Sequence, residues 1–185
     1  MPSDLHPPGL ELEAPIDPSA VVAMVAEIVR DPWPSSDSGR EQLFSRLGLR
    51  TSALRAVQNP HSVGSEQHFL TDPPLAGPVL CTWVLEDGMF TQIYFQLRFE
   101  AVPPSPETTG CFAEIMRQFT QAYGESSAPP PGQKGFHHRW DANGRELEVR
   151  YGNEARSSLM ISISKSMLAT LAAQDGPSAQ DGPLT

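Results

Sequence analysis

Apolar residues recur at helical spacing directly after Asp17-Pro18, where Val21, Val22, Met24, Val25, Ile28 and Val29 form one stripe. The Asp-Pro pair supplies an N-cap and a first helical position that needs no N–H donor. Asp31-Pro32-Trp33-Pro34 ends this helix. A second, shorter helix follows from the capping-box pattern Ser38-Gly39-Arg40-Glu41, with Leu43, Phe44 and Leu47 on one side and Gly48 as its stop. The period then changes to two. Weak strands are expected near 50–57 and 66–70, in a stretch broken by Pro60, Gly64, Pro73, Pro74 and Gly77. A strong hairpin covers 79–100, with Val79, Cys81, Trp83 and Leu85 alternating on its first strand and Met89, Thr91, Ile93, Phe95, Leu97 and Phe99 on its second. These two sets share a face only if the loop is odd, which predicts a three-residue turn at Glu86-Asp87-Gly88 with Gly88 left-handed.

Pro103-Pro104-Ser105-Pro106 closes that strand and opens a third helix, whose Phe112, Ile115, Met116, Phe119 and Tyr123 lie on one stripe before Gly124. A Pro/Ser/Gly loop fills 125–135. Asn143-Gly144 is the preferred two-residue hairpin turn, and its even length pairs Trp140 with Leu147, His138 with Val149 and Phe136 with Tyr151 on one face. His137, Arg139, Glu146, Glu148 and Arg150 then point to the other. A strand over 157–164 adds Leu159, Ile161 and Ile163, and a closing helix over 165–173 presents Met167, Leu168 and Leu171. The order ααββββαβββα defines an α+β class, with a single antiparallel sheet of hairpins and the helices packed on one face. Residues 1–16 and 174–185 read as disordered tails around a single domain at 17–173; the second tail repeats Ala-Gln-Asp-Gly-Pro at 173–177 and 179–183.

Charge narrows the function classes. Thirteen Lys and Arg against 22 Asp and Glu leave a net charge of −9, which disfavours nucleic acid as a partner. No apolar run reaches the roughly 18 to 20 residues of a membrane helix, and the N-terminus has no basic region, so a cytoplasmic protein without a membrane partner is expected. Cys81 and Cys111 sit on apolar faces without a C-x-x-C spacing, as buried thiols of a reducing compartment do. Lysine occurs only at 134 and 165, and this arginine bias with abundant Ala, Pro and Gly is that of a GC-rich bacterial genome such as an actinobacterium's.

The chain offers little that looks catalytic. His137-His138 lies beside Arg139, Glu146, Glu148 and Arg150, but neighbours on a strand point to opposite faces, so the two imidazoles cannot share one ion. The alternating signs read as a solvated face with cross-strand ion pairs. His6, His61 and His68 share no ligand spacing, and no nucleophile elbow or P-loop is present. No cofactor, metal or enzymatic activity is therefore expected. Trp33, between prolines, either anchors an interface or covers the core. Trp83, Tyr123, Trp140 and Tyr151 either pack in the core or line a pocket between sheet and helices for a small-molecule or lipid-like ligand.

The layout of a helix ending at Trp33-Pro34, a small helix ending at Leu47-Gly48, a long hairpin, a helix ending at Tyr123-Gly124-Glu125 and a hairpin bearing Trp140 resembles small uncharacterised actinobacterial proteins of the toxin-immunity type. It is also similar in element order to secretion-chaperone-like α+β folds. The resemblance covers about 17–173 and carries over no functional residue. It implies a protein partner, a toxin or a secreted protein, and the acidic balance suits a basic one. The expected contact residues are Tyr94, Gln96 and Arg98 on the outer side of the long strand, with Arg139 and Glu148 beside them. An uncovered sheet face would also suit a homodimer.

Overall fold

The computed structural model describes residues 15–50, 56–57, 66–99, 106–127, 136–152 and 158–165. The two expected tails, the closing helix and most of the 125–135 loop lie outside the described residues, except for 15, 16, 125–127 and 165.

Helix α1 runs Pro18–Arg30, and the Asp17 carboxylate accepts from the Ser19 N–H at 2.9 Å, as an N-cap does. Helix α2, Asp37–Leu47, starts earlier than its capping-box pattern suggests. Ser36 rather than Ser38 caps it, because the Ser36 hydroxyl accepts from the Gly39 N–H three residues on. Gly48 closes α2 at φ 66°, a left-handed turn in which the N–H of Leu49 returns to the Phe44 carbonyl. A Cβ there would also meet Pro74 Cγ at 3.3 Å.

Among the described residues, seven strands make one antiparallel sheet: β1 (Ala56–Val57), β2 (Gln67–Thr71), β3 (Val79–Glu86), β4 (Met89–Arg98), β5 (Phe136–Asp141), β6 (Arg145–Gly152) and β7 (Ser158–Lys165). Their spatial order is β1-β2-β3-β4-β7-β6-β5. Helix α3, Pro106–Tyr123, carries the chain from β4 across one face to the far edge, from which β6 and β7 return inward. The class is α+β, with helices on one face of one antiparallel sheet.

Both hairpins turn on two residues at positive φ, the geometry whose twist matches paired strands. At Asn143 and Gly144 this is the expected turn, and Trp140, His138 and Phe136 face Leu147, Val149 and Tyr151 in the expected register. The other hairpin differs. Its turn is Asp87-Gly88, with Glu86 paired to Met89, and not the three-residue loop that alternation requires. The odd residue is taken up inside the strand, where Leu85 pairs with Phe90 but Val84 pairs with Gln92, leaving Thr91 as a bulge. Phe90 is therefore in the core at 6% exposure, and Met89, expected inside, is 49% exposed.

The core is one cluster. Val21, Val25, Ile28 and Val29 of α1, Leu43, Phe44 and Leu47 of α2, and Ile115 and Phe119 of α3 pack on Trp83, Ile93, Phe95, Leu97, Trp140, Leu147, Val149, Leu159, Ile161 and Ile163. Burying side chains of this size fully contributes about 1.5–3 kcal/mol each, so the shared apolar face attaches the helices. Trp33 covers one end of the core, stacked on Phe90 at 4.6 Å with its indole N–H donating to the Phe90 carbonyl at 2.6 Å. Asn143 and Arg145, at the tip of the last hairpin, donate to the Val29 and Asp31 carbonyls and so tie the sheet to the end of α1.

Candidate functional site

The side chains that alternate away from this core form the opposite, outer face of the sheet. Because Ile93, Phe95 and Leu97 are fully buried inside, Gln92, Tyr94, Gln96 and Arg98 of β4 must project outward. Strand pairing extends them into rows. Leu70, Thr82, Tyr94, Ser162, Glu148 and Arg139 are mutual cross-strand neighbours from β2 to β5. On one side of that row lie His68, Val84, Gln92, Ser164, Glu146 and Asp141; on the other lie Leu80, Gln96, Met160, Arg150 and His137. None of these residues belongs to the helix-covered core cluster, and the three described helices all pack on the other face, yet Val84, Thr82, His68, Ser162, Glu148 and His137 are buried.

The five expected contact residues share this face. Tyr94, Gln96 and Arg139 are partly exposed and Arg98 is exposed. Tyr94 and Arg139 are in one row, with Ser162 of β7 and Glu148 of β6 on the two strands between them. Glu148 differs from the other four. It is 7% exposed, and one of its carboxylate oxygens takes both the His137 Nε2 and the Arg150 Nε. It works as a buried anchor under the face, and the accessible charge is the Arg150 guanidinium. His137 was expected on a solvated face and is only 6% exposed. The change comes from its neighbours, since Arg150 stands opposite it in the register and Glu148 lies diagonally across.

A second imidazole occupies the opposite side of the same face. His68 is buried, with Nε2 at 3.4 Å from Glu66 and Nδ1 at 3.5 Å from the Tyr94 hydroxyl. No sequence spacing links His68 to Tyr94; the β2-β3-β4 pairing brings them together. His138 turns inward as expected, stacks on Trp140 and has Nδ1 at 2.8 Å from the Ser126 hydroxyl. Burial, and to a lesser degree His137 beside it, holds the His138 pKa below the ordinary imidazole value. Among the described residues no three His, Cys, Asp or Glu side chains are grouped to hold a metal ion.

The aromatics proposed for an internal pocket touch other rings. Trp83 stacks on Phe69 at 4.2 Å and meets Phe44 edge-on, while Trp140 meets Phe119 and donates to the Gly124 carbonyl. Tyr123 lies beside Phe119 and Tyr151 beside Phe112. An open cleft of about 190 Å³ lies elsewhere, between the end of α1 and α2, where Arg46 reaches Asp31 at 2.5 Å and the Glu27 carbonyl at 3.2 Å. Both cysteines are free thiols: Cys81 is buried, and Cys111 is only half-buried. Burial raises both thiol pKa values, with the Asp17 carboxylate adding to the effect at Cys111.

No described helix is long and apolar enough to cross a membrane. Comparison with protein-family models, curated proteins and solved structures gave no match to this chain.

Proposed function

We propose that the chain is a non-catalytic, cytoplasmic protein-binding module whose partner is a basic toxin or secreted protein, in an immunity or chaperone-like role. The observation that supports this reading is the asymmetry of the sheet: the three described helices cover one face, and on the other Tyr94, Gln96 and Arg139 stay partly exposed and Arg98 and Arg150 exposed among buried neighbours such as Thr82, Val84 and Ser162. Exposed arginines beside a partly exposed tyrosine suit protein recognition better than small-molecule capture, which needs a concave site. The acidic Asp141, Glu146, Glu66 and Glu86 along one end of that face, together with the net charge of −9, favour encounter with a basic partner.

The test is affinity purification of the tagged chain from its host, followed by mass spectrometry, run beside a variant with Tyr94, Gln96 and Arg98 changed to alanine. A stoichiometric basic protein held by the native chain and lost by the variant is the expected result. A partner retained equally by both would remove the face from the proposal, and elution of the native chain alone would remove the proposal.

A further inference from the structure

The outward side chains of the central strands are buried, although no described helix lies over them. Val84 is 1% exposed, Thr82 5%, His68 8% and Ser162 9%, while the three described helices pack on the other face. Part of this shelter is local. Tyr94 on β4 and His68 on β2 reach toward each other across β3, with the hydroxyl 3.5 Å from Nδ1, and so span the strand between Thr82 and Val84. That arch is itself roofed, because its imidazole is buried and the Nε2 is out of contact with solvent. Side chains on one face of a sheet stand side by side and roughly perpendicular to it, so neighbours flank a valine without closing its top.

The burial is also confined. It takes in two rows from β2 to β7, three strand spacings or about 14 Å. At its margins Leu70 is 38% exposed, Gln96 and Met160 are partly exposed, and Arg98 and Arg150 are exposed. Glu148 and His137, nearer the β5 edge, are closed by each other and by Arg150. A cover for the β2–β7 zone comes from the chain outside the described residues, and burying Val84 calls for an apolar one. The stretches 51–55, 58–65, 100–105, 128–135 and 153–157 carry at most one large apolar residue each. Residues 1–14 lead into Ile16, which packs against the helix-covered core. In 166–173, by contrast, Met167, Leu168 and Leu171 fall on one side at helical spacing. This segment follows directly on Lys165 at the end of β7, beside Ser164, whose row runs through Gln92 to Val84 two strands away, about 10 Å. Eight helical residues are about 12 Å long and about 10 Å across, the size of the covered zone.

We infer that the segment 166–173 folds back over the outer face and packs Met167, Leu168 and Leu171 on Val84 and Thr82, as a cover built into the chain. The face then has two parts, one closed by the chain itself and one, around Gln96, Arg98 and Arg150, left to a partner. The cover is a property of the chain alone and stands apart from partner binding.

The test uses the full-length chain and an alkylating thiol reagent, with the modified site read by fragment mass spectrometry. Val84→Cys places a thiol under the cover, and Leu70→Cys places one on the same face outside it. Cys81, buried in the helix-covered core, reports whether the sheet stays folded. The thiol of Val84→Cys is expected to react more than about a hundredfold more slowly than that of Leu70→Cys, since it waits for local opening. With Met167, Leu168 and Leu171 also changed to serine, it reacts within about tenfold of the Leu70→Cys thiol while Cys81 stays protected. Equal rates at the two positions in the otherwise native chain overturn the inference, and so does a slow rate that survives the serine changes with Cys81 protected. If the triple change exposes Cys81 as well, Leu171→Ser alone is read in the same way: acceleration at position 84 of more than about threefold supports the cover, and anything less overturns it. Loss of partner capture with the cover intact would refute the binding reading and leave this one standing.

Discussion

Replacing Phe90 and Met89 by alanine in turn tests which of two adjacent residues the hairpin buries. Regular alternation outward from Ile93 puts Thr91 and Met89 inside, whereas the Thr91 bulge reverses the order and buries Phe90. Phe90 stacks on Trp33 at 4.6 Å and 11°, and meets Phe44 and Trp83 edge-on at 5.7 and 6.3 Å. Truncating a buried phenylalanine costs about 3–5 kcal/mol. The lower end, about 3 kcal/mol, applies here because Trp33 is only partly buried and can relax into the space. For a domain of this size that lowers Tm by about 6–12 °C. Met89→Ala, at a half-exposed site, stays within about 0.5 kcal/mol of the native chain. Urea unfolding followed by circular dichroism measures both, and tryptophan emission in Phe90→Ala shifts to the red as Trp33 loses its stacking partner. A larger loss for Met89→Ala than for Phe90→Ala would mean that the hairpin keeps strict alternation and that the rows on the outer face are drawn in the wrong register.

Glu148→Ala removes the carboxylate shared by His137 and Arg150; with Arg150 able to return to water, the expected loss is about 2 kcal/mol in urea unfolding. A loss under about 0.5 kcal/mol would show that the pair is solvated. His138 has a depressed pKa in the folded chain, so on acidification the unfolded chain takes up the proton first. Its stabilising contribution is complete above the unfolded value near 6.5 and is lost as pH falls toward the folded pKa. The stability difference between native chain and His138→Gln should therefore narrow from pH 7.5 to about 5, and a widening would reverse the assignment. With a thiol reagent under native conditions, the half-buried Cys111 labels first and Cys81 only at the rate of unfolding; equal rates would contradict the burial of Cys81.

Period was the most legible signal in the chain, and it worked wherever neighbouring elements agreed with it. The α1 stripe, the α3 stripe and the Asn143-Gly144 hairpin appear with the residues and register that spacing implies. Alternation has a parity but no marker for where an extra residue goes, so it assigns the odd residue to a three-residue turn at Glu86-Asp87-Gly88, whereas it sits inside the strand at Thr91. The same limit applies to the site. Local spacing placed Tyr94, Gln96, Arg98, Arg139 and Glu148 on one side of their strands. The β7 insertion between β4 and β6, which sets them in rows, depends on long-range pairing. The burial of Glu148 and His137 was missed for a related reason. Outward strand positions are read as wet, yet a short acid between Arg150 and a ring is covered by its own neighbours.

The strand order also explains why one face has a chemical gradient at all. In β5, β6 and β7 the outward positions are His137, Arg139 and Asp141, then Glu146, Glu148 and Arg150, then Met160, Ser162 and Ser164. Antiparallel pairing places Asp141 beside Glu146 at one end, and His137 beside Arg150 at the other. Like charges opposite one another on a sheet are destabilising, and Asp141 against Glu146 is such a pair in the isolated chain. Arg139, at 3.5 Å from Glu146, offsets it. The Asp141 carboxylate is also held within its own turn, accepting from the Gly144 N–H at 2.7 Å. The acidic end of the face is thus held by the hairpin turn at Asp141 and by the cross-strand Arg139 at Glu146, so the gradient along the strands is compatible with the folded chain on its own.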